Sequence, residues 1–135
     1  MPIQQNSASE AIVRKAINYT PRRQFVATKH DSIIVGHSIP SETIAQQILE
    51  NVNFRSDQNA LHIGTGSGYL TAILSLIVRT VVTVERLPAL AKVATDNFQK
   101  LNLKNIKIQI SDGNLGSSNH APYDVIVIST SKVKV

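Results

Sequence analysis

The chain contains no cysteine, so disulfides, thiolate nucleophiles and cysteine-bearing metal sites are excluded. Its first ten residues, Met1 to Glu10, are polar and offer no apolar core for an export signal. The longest apolar run, around Tyr69 to Val78, is too short and too interrupted to span a bilayer, and a cytoplasmic location with no membrane partner is the default expectation. The 14 Lys and Arg are scattered, with Arg14-Lys15 and Arg22-Arg23 the only adjacent pairs. A nucleic-acid footprint would be denser, so the net charge of +5 reads as a solvated basic surface. His30, His37, His62 and His120 lie in unrelated segments without helical i, i+4 spacing, and no metal site is expected. Internal repeats and low-complexity tracts are also missing.

What is present is enough for one domain with a real core: 135 residues, 42% hydrophobic and 17% charged. Residues 1 to 8 read as a loose polar start. A short amphipathic helix is expected from about Ala8 to Tyr19, with Ala11, Ile12, Ala16 and Ile17 at helical spacing, and Pro21 stops it. Pro21 to Val26 reads as an extended basic and aromatic piece, followed by the apolar patch Ile33-Ile34-Val35 and the turn residue Gly36. Pro40-Ser41-Glu42 has the composition of a helix start, with Ile44, Ala45, Ile48 and Leu49 on one face. Thereafter strand and helix alternate. Strands are expected at Ala60–Ile63, Thr80–Val84, Asn105–Ile110 and Tyr123–Ser129, and helices at Tyr69–Ile77 and from Pro88 through Phe98. That order predicts an α/β fold of Rossmann-like topology, a parallel sheet with helices on both faces.

Ligands in such sheets bind beyond the carboxyl ends of the strands. The first strand runs into Gly64-Thr65-Gly66-Ser67-Gly68, the second ends at Glu85-Arg86, and the third at Asp112-Gly113. Alternate glycines free the backbone and let a ligand lie against it. Glu85 stands 21 positions beyond Gly64, close to the spacing at which an acidic residue takes the two hydroxyls of a ribose. Asp112 would reach a purine amino group. The glycines alternate rather than following Gly-x-Gly-x-x-Gly, with Tyr69 at the third fingerprint position, and no Gly-Lys-Ser or Gly-Lys-Thr follows. A dinucleotide and a triphosphate are therefore disfavoured, and an adenosyl ligand without phosphates fits better.

These segments resemble, in order, the signatures of the protein-L-isoaspartate O-methyltransferases: Pro21-Arg22-Arg23-Gln24-Phe25-Val26, Ile63 to Tyr69, Thr83 to Ala91, Ser111 to Gly116 and Ala121-Pro122-Tyr123-Asp124. The resemblance runs from about residue 9 to the end. It implies one methyltransferase-like domain over 1–135, with 1–40 as the family's N-terminal segment and 41–135 as the cofactor-binding half. It implies methyl transfer from S-adenosylmethionine to the carboxylate of L-isoaspartyl residues in damaged proteins or peptides. By the family pattern His62, Gly64, Thr65, Gly66, Ser67, Gly68, Glu85, Arg86, Asp112 and Gly113 hold the cofactor, and Ile39 to Ser41 border the methyl acceptor. Pro40 occupies the family's serine position, leaving Ser38 and Ser41 as the neighbouring hydroxyls. His62 stands where the family has an acidic residue. Family members continue past the fourth strand, so the last strands of the fold are expected to be lacking and the fourth to form an open edge through which copies could pair. An impaired or truncated relative acting as a cofactor-binding or interaction protein is the alternative expectation.

Overall fold

The computed structural model describes residues 2–26, 39–111 and 121–129. Within them four parallel strands form one sheet in the order β3-β2-β1-β4. The strands are β1 (Asn59–Ile63), β2 (Thr80–Glu85), β3 (Ile106–Ile110) and β4 (Val125–Ile128). Helix α3 (Tyr69–Ser75) links β1 to β2, and α4 (Pro88–Lys100) links β2 to β3. Helices α1 (Pro2–Asn18) and α2 (Glu42–Leu49) precede the sheet and pack on each other, where Gln46 Nε2 donates to the Glu10 carbonyl at 3.1 Å. This is the expected parallel α/β architecture, with the difference that the helices among the described residues join one core on one side of the sheet and do not cover both. Among the described residues, no helix is long and apolar enough to cross a membrane.

Two expectations for the N-terminal part need correcting. Residues 2–8 are not a loose start but the first two turns of a 17-residue α1. Once Val13, Ala16 and Ile17 anchor the helix in the core, adding a residue fixes little and makes one more hydrogen bond, so the polar stretch propagates it. The Pro21–Val26 piece is not extended either: Arg22–Gln24 form a 3-10 turn, closed by the Phe25 N–H on the Arg22 carbonyl at 2.9 Å. Phe25 provides the reason. The turn buries its ring against Tyr69, with ring centroids 5.5 Å apart.

The sheet has two chemically different sides, because side chains alternate along each strand. One side joins Ala60, Val81 and Val127 to the buried apolar residues of all four helices in one core. On the other, Leu61, Ile63, Val82 and Val84 form a second cluster with Tyr123 against it. Ile126 and Ile128 of β4 stay half exposed. A reciprocal clamp sets the β1–β4 register. The Asp124 N–H donates to the Asn59 carbonyl at 2.8 Å, and the Asn59 N–H donates to the Asp124 carboxylate at 2.8 Å. The register places His62 between Thr83 of β2 and Val127 of β4, at the carboxyl end of the sheet.

Candidate functional site

At the end of β1 the chain turns through three left-handed glycines, with φ of 99° at Gly64, 58° at Gly66 and 101° at Gly68. Gly68 has no alternative: a Cβ there would lie 2.6 Å from the Phe98 ring. The turn is tied down from three separate elements. Glu85, at the end of β2, accepts the Gly66 N–H at 2.8 Å and, through its other oxygen, the Leu87 N–H at 2.9 Å. Asn97, on α4, donates to the Ser67 carbonyl at 2.9 Å. Ser129, just past β4, donates to the Gly64 carbonyl at 3.0 Å.

Glu85, placed by its spacing from Gly64 as a ribose-binding residue, meets the glycine loop itself, with both carboxylate oxygens on backbone N–H groups. Each carboxylate oxygen holds one backbone N–H, and a carboxylate oxygen can accept two hydrogen bonds. A bound diol would find the carboxylate already oriented. Arg86 beside it is exposed.

His62 lies beneath the loop and is fully buried. Its Nδ1 is 2.6 Å from Thr71 Oγ1, and its Nε2 is 2.7 Å from Ser129 Oγ. Thr71 Oγ1 lies 3.2 Å from Thr83 Oγ1, which lies 2.6 Å from Thr65 Oγ1. The proton order follows from the far end. With the Ser129 proton on the Gly64 carbonyl, Ser129 accepts from His62 Nε2–H, and a neutral imidazole then accepts at Nδ1 from Thr71. One continuous donor chain results, from Thr65 through Thr83, Thr71, His62 and Ser129 to the Gly64 carbonyl. Burial pushes the His62 pKa down to about 4, which keeps the ring in this neutral form.

A cavity of about 270 Å³ opens between this loop and the start of α2. Its walls include Gly64, Thr65, Ser67, Tyr69 and Ser129 on the loop side and Ile39, Pro40, Ile44 and Ile48 on the other. This accounts for the apolar face expected on α2: Ala45 and Leu49 enter the core, whereas Ile44 and Ile48 remain partly exposed and line the cavity. The Ile39–Pro40 wall is held by Arg22, whose guanidinium donates to the Pro40 and Ile39 carbonyls at 2.8 Å each. Ser41 caps α2, its Oγ accepting the Ile44 N–H at 3.1 Å.

The structure thus brings His62, Gly64, Thr65, Gly66, Ser67, Gly68 and Glu85 together and places Ser41 across the cavity at a helix cap. Ser38, Asp112 and Gly113 lie outside the described residues. Sequence reasoning passes over Thr71, Thr83, Ser129, Asn97 and Arg22. A signal exists for two of them: Thr71 and Thr83 stand inside apolar runs, where a buried hydroxyl needs a partner.

In sequence and in fold the chain is similar to known proteins. The family model described as protein-L-isoaspartate(D-aspartate) O-methyltransferase matches residues 2–135. A curated relative, protein-L-isoaspartate O-methyltransferase 1 of Geotalea uraniireducens, is 38% identical over 126 residues, covering 87% of this chain and 58% of the relative. The Pyrococcus abyssi protein-L-isoaspartate O-methyltransferase is 32% identical over 133 residues, covering 91% of this chain and 62% of its own length. The chain thus spans about three fifths of these relatives. Among solved structures, a protein-L-isoaspartate O-methyltransferase superposes with a TM-score of 0.74 at 23% identity, over 95% of this chain and 47% of that one. A Plasmodium falciparum protein assigned to the same group, in complex with S-adenosyl-L-homocysteine, superposes with a TM-score of 0.68 at 19% identity, over 92% of this chain and 72% of that one. Both show the shared fold.

Proposed function

The chain belongs to the protein-L-isoaspartate(D-aspartate) O-methyltransferase family, and on that premise we propose that it takes part in methyl transfer from S-adenosylmethionine to the carboxylate of L-isoaspartyl residues in proteins or peptides. The observation that supports this best is the meeting of Glu85 with Gly66 at 2.8 Å, which puts a carboxylate and a side-chain-free backbone on one ligand-binding edge. The residues suit an adenosyl group. Gly64 and Gly66 carry no side chain between the main chain and a ligand, the carboxylate of Glu85 suits a ribose diol, and among the described residues no lysine or arginine lines the adjoining cavity to demand a phosphate. Family pattern adds Arg86, and Asp112 and Gly113 at the purine end.

S-adenosylmethionine supplies a methyl group on a positively charged sulfur. An acceptor carboxylate is ionised at neutral pH, so the reaction needs no general base from the protein. Bringing the two groups into line contributes most of the rate. The cavity wall at Ile39 and Pro40, fixed by Arg22 and followed by Ser41, is the surface against which the acceptor would be aligned. Ser41, and Ser38 by its position in sequence, are the hydroxyls nearest that wall in the chain.

Calorimetric titration with S-adenosylhomocysteine, with methyl transfer to an isoaspartyl peptide and its aspartyl counterpart, tests the reading. Glu85→Gln keeps an acceptor for Gly66 but turns an amide N–H₂ toward the Leu87 N–H. Losing charge-assisted bonds of about 1.5–3 kcal/mol should weaken binding roughly 10- to 100-fold. Absence of binding by the unaltered chain, or equal methylation of both peptides, would refute the proposal.

A further inference from the structure

Beside the cavity lies a buried polar group that the site as described leaves unused. Tyr69 is one of the cavity's lining residues and is 1% exposed, yet among the described residues its hydroxyl has no hydrogen-bond partner. A buried hydroxyl without a partner is costly and uncommon. Packing does not require it, since the ring alone makes the contact with Phe25. A phenylalanine would fill the same space without the penalty.

We propose that the Tyr69 hydroxyl is a substrate-binding donor, receiving a main-chain carbonyl oxygen of the peptide methyl acceptor at the Ile39–Ser41 end of the cavity. The inference rests on the methyltransferase reading above and assigns a residue to its acceptor side.

Position favours the acceptor over the cofactor. Glu85 binds the glycine loop at Gly66, whereas the side chains that act electrostatically on the Tyr69 hydroxyl are Glu42 and Arg22. Those two flank the opposite wall: Glu42 opens α2, and Arg22 holds the Ile39 and Pro40 carbonyls. Chemistry favours a neutral oxygen. Burial, and then Glu42, push the Tyr69 pKa up to about 12 against the smaller opposing effect of Arg22, so the group stays a proton donor. A phenol that keeps its proton donates to an oxygen acceptor, and a main-chain carbonyl of the peptide is the matching partner.

The test uses the whole chain and its Tyr69→Phe variant. Each is titrated with S-adenosylhomocysteine, with 5′-deoxy-5′-methylthioadenosine, which lacks the amino-acid end, and then, saturated with S-adenosylhomocysteine, with an isoaspartyl hexapeptide. The same hexapeptide bearing a carboxamide in place of the acceptor carboxylate is titrated in parallel. The proposal expects a five- to tenfold loss of affinity for both peptides, unchanged affinity for both nucleosides and an unlowered melting temperature. In turnover the loss should fall on the peptide KM and not on kcat. Unchanged peptide affinity in the variant overturns the proposal while leaving the methyltransferase reading intact. A loss confined to the carboxylate peptide overturns it in favour of the acceptor carboxylate, and a loss for S-adenosylhomocysteine alone reassigns the hydroxyl to the cofactor. No binding or methylation of isoaspartyl peptide by the unaltered chain overturns both.

Discussion

Replacing His62 by Gln separates the charge of the imidazole from its hydrogen bonds. Glutamine offers one donor and one acceptor between Ser129 and Thr71, as the neutral ring does, but cannot take up a proton. The imidazole is fully buried, with its pKa lowered from 6.5 to about 4 by desolvation. In the unfolded chain it titrates near 6.5. Between these values the unfolded chain binds the proton and the folded chain refuses it, so stability rises with pH through that window and is flat above it. Each tenfold change is worth about 1.4 kcal/mol, and the full effect is therefore about 3 kcal/mol lost between pH 7 and pH 4. Against a total of roughly 5–15 kcal/mol this is a large share. Urea unfolding at pH 7, 6, 5 and 4 checks it, with the other histidines and the carboxylates common to both proteins cancelling in the difference. The unaltered chain should lose about 3 kcal/mol more than His62→Gln over that range, whatever constant offset the substitution brings. Parallel pH curves would refute the neutral, buried imidazole and with it the donor chain from Thr65 to Gly64.

Two further substitutions probe the frame of the site. Gly68→Ala puts a Cβ 2.6 Å from the Phe98 ring at a φ of 101°, and should cost about 2–4 kcal/mol in chemical denaturation; a cost below about 1 kcal/mol would mean that the turn relaxes freely. Ser41→Ala removes the cap on the Ile44 N–H and should lower stability by about 1 kcal/mol with no change in S-adenosylhomocysteine affinity, as read by thermal unfolding and calorimetry.

Between residues 59 and 110 the fold is legible in the sequence, because local preference and tertiary need agree there. Thr80 to Val84 are β-branched without exception and become β2, and Pro88 sits at the first turn of α4. Legibility fails where a long-range contact decides. Nothing local in Pro21 to Val26 says that Phe25 will meet Tyr69, and that meeting curls the segment into a turn and leaves Arg22 to hold Ile39 and Pro40. Glu85 is readable from its distance to Gly64 because a β-α-β unit fixes that interval. Asn97 and Ser129 also touch the loop, yet no comparable interval marks them.

The same distinction decides what the histidine in the glycine stretch means. Read as a substitution in a motif, His62 replaces a family carboxylate and suggests a damaged site. In the fold it is a neutral donor that passes its hydrogen bond through Ser129 to the Gly64 carbonyl. The loop has two other ties, Glu85 on Gly66 and Asn97 on Ser67, and they come from different elements of the sheet and its helices. Three independent anchors mean that the backbone cradle does not depend on a charge at position 62. What the exchange alters is the electrostatics beneath the cradle, where a carboxylate would add a negative charge and the buried imidazole adds none. Affinity for an adenosyl group should accordingly survive the histidine, and any loss should fall on ligand groups that carry positive charge.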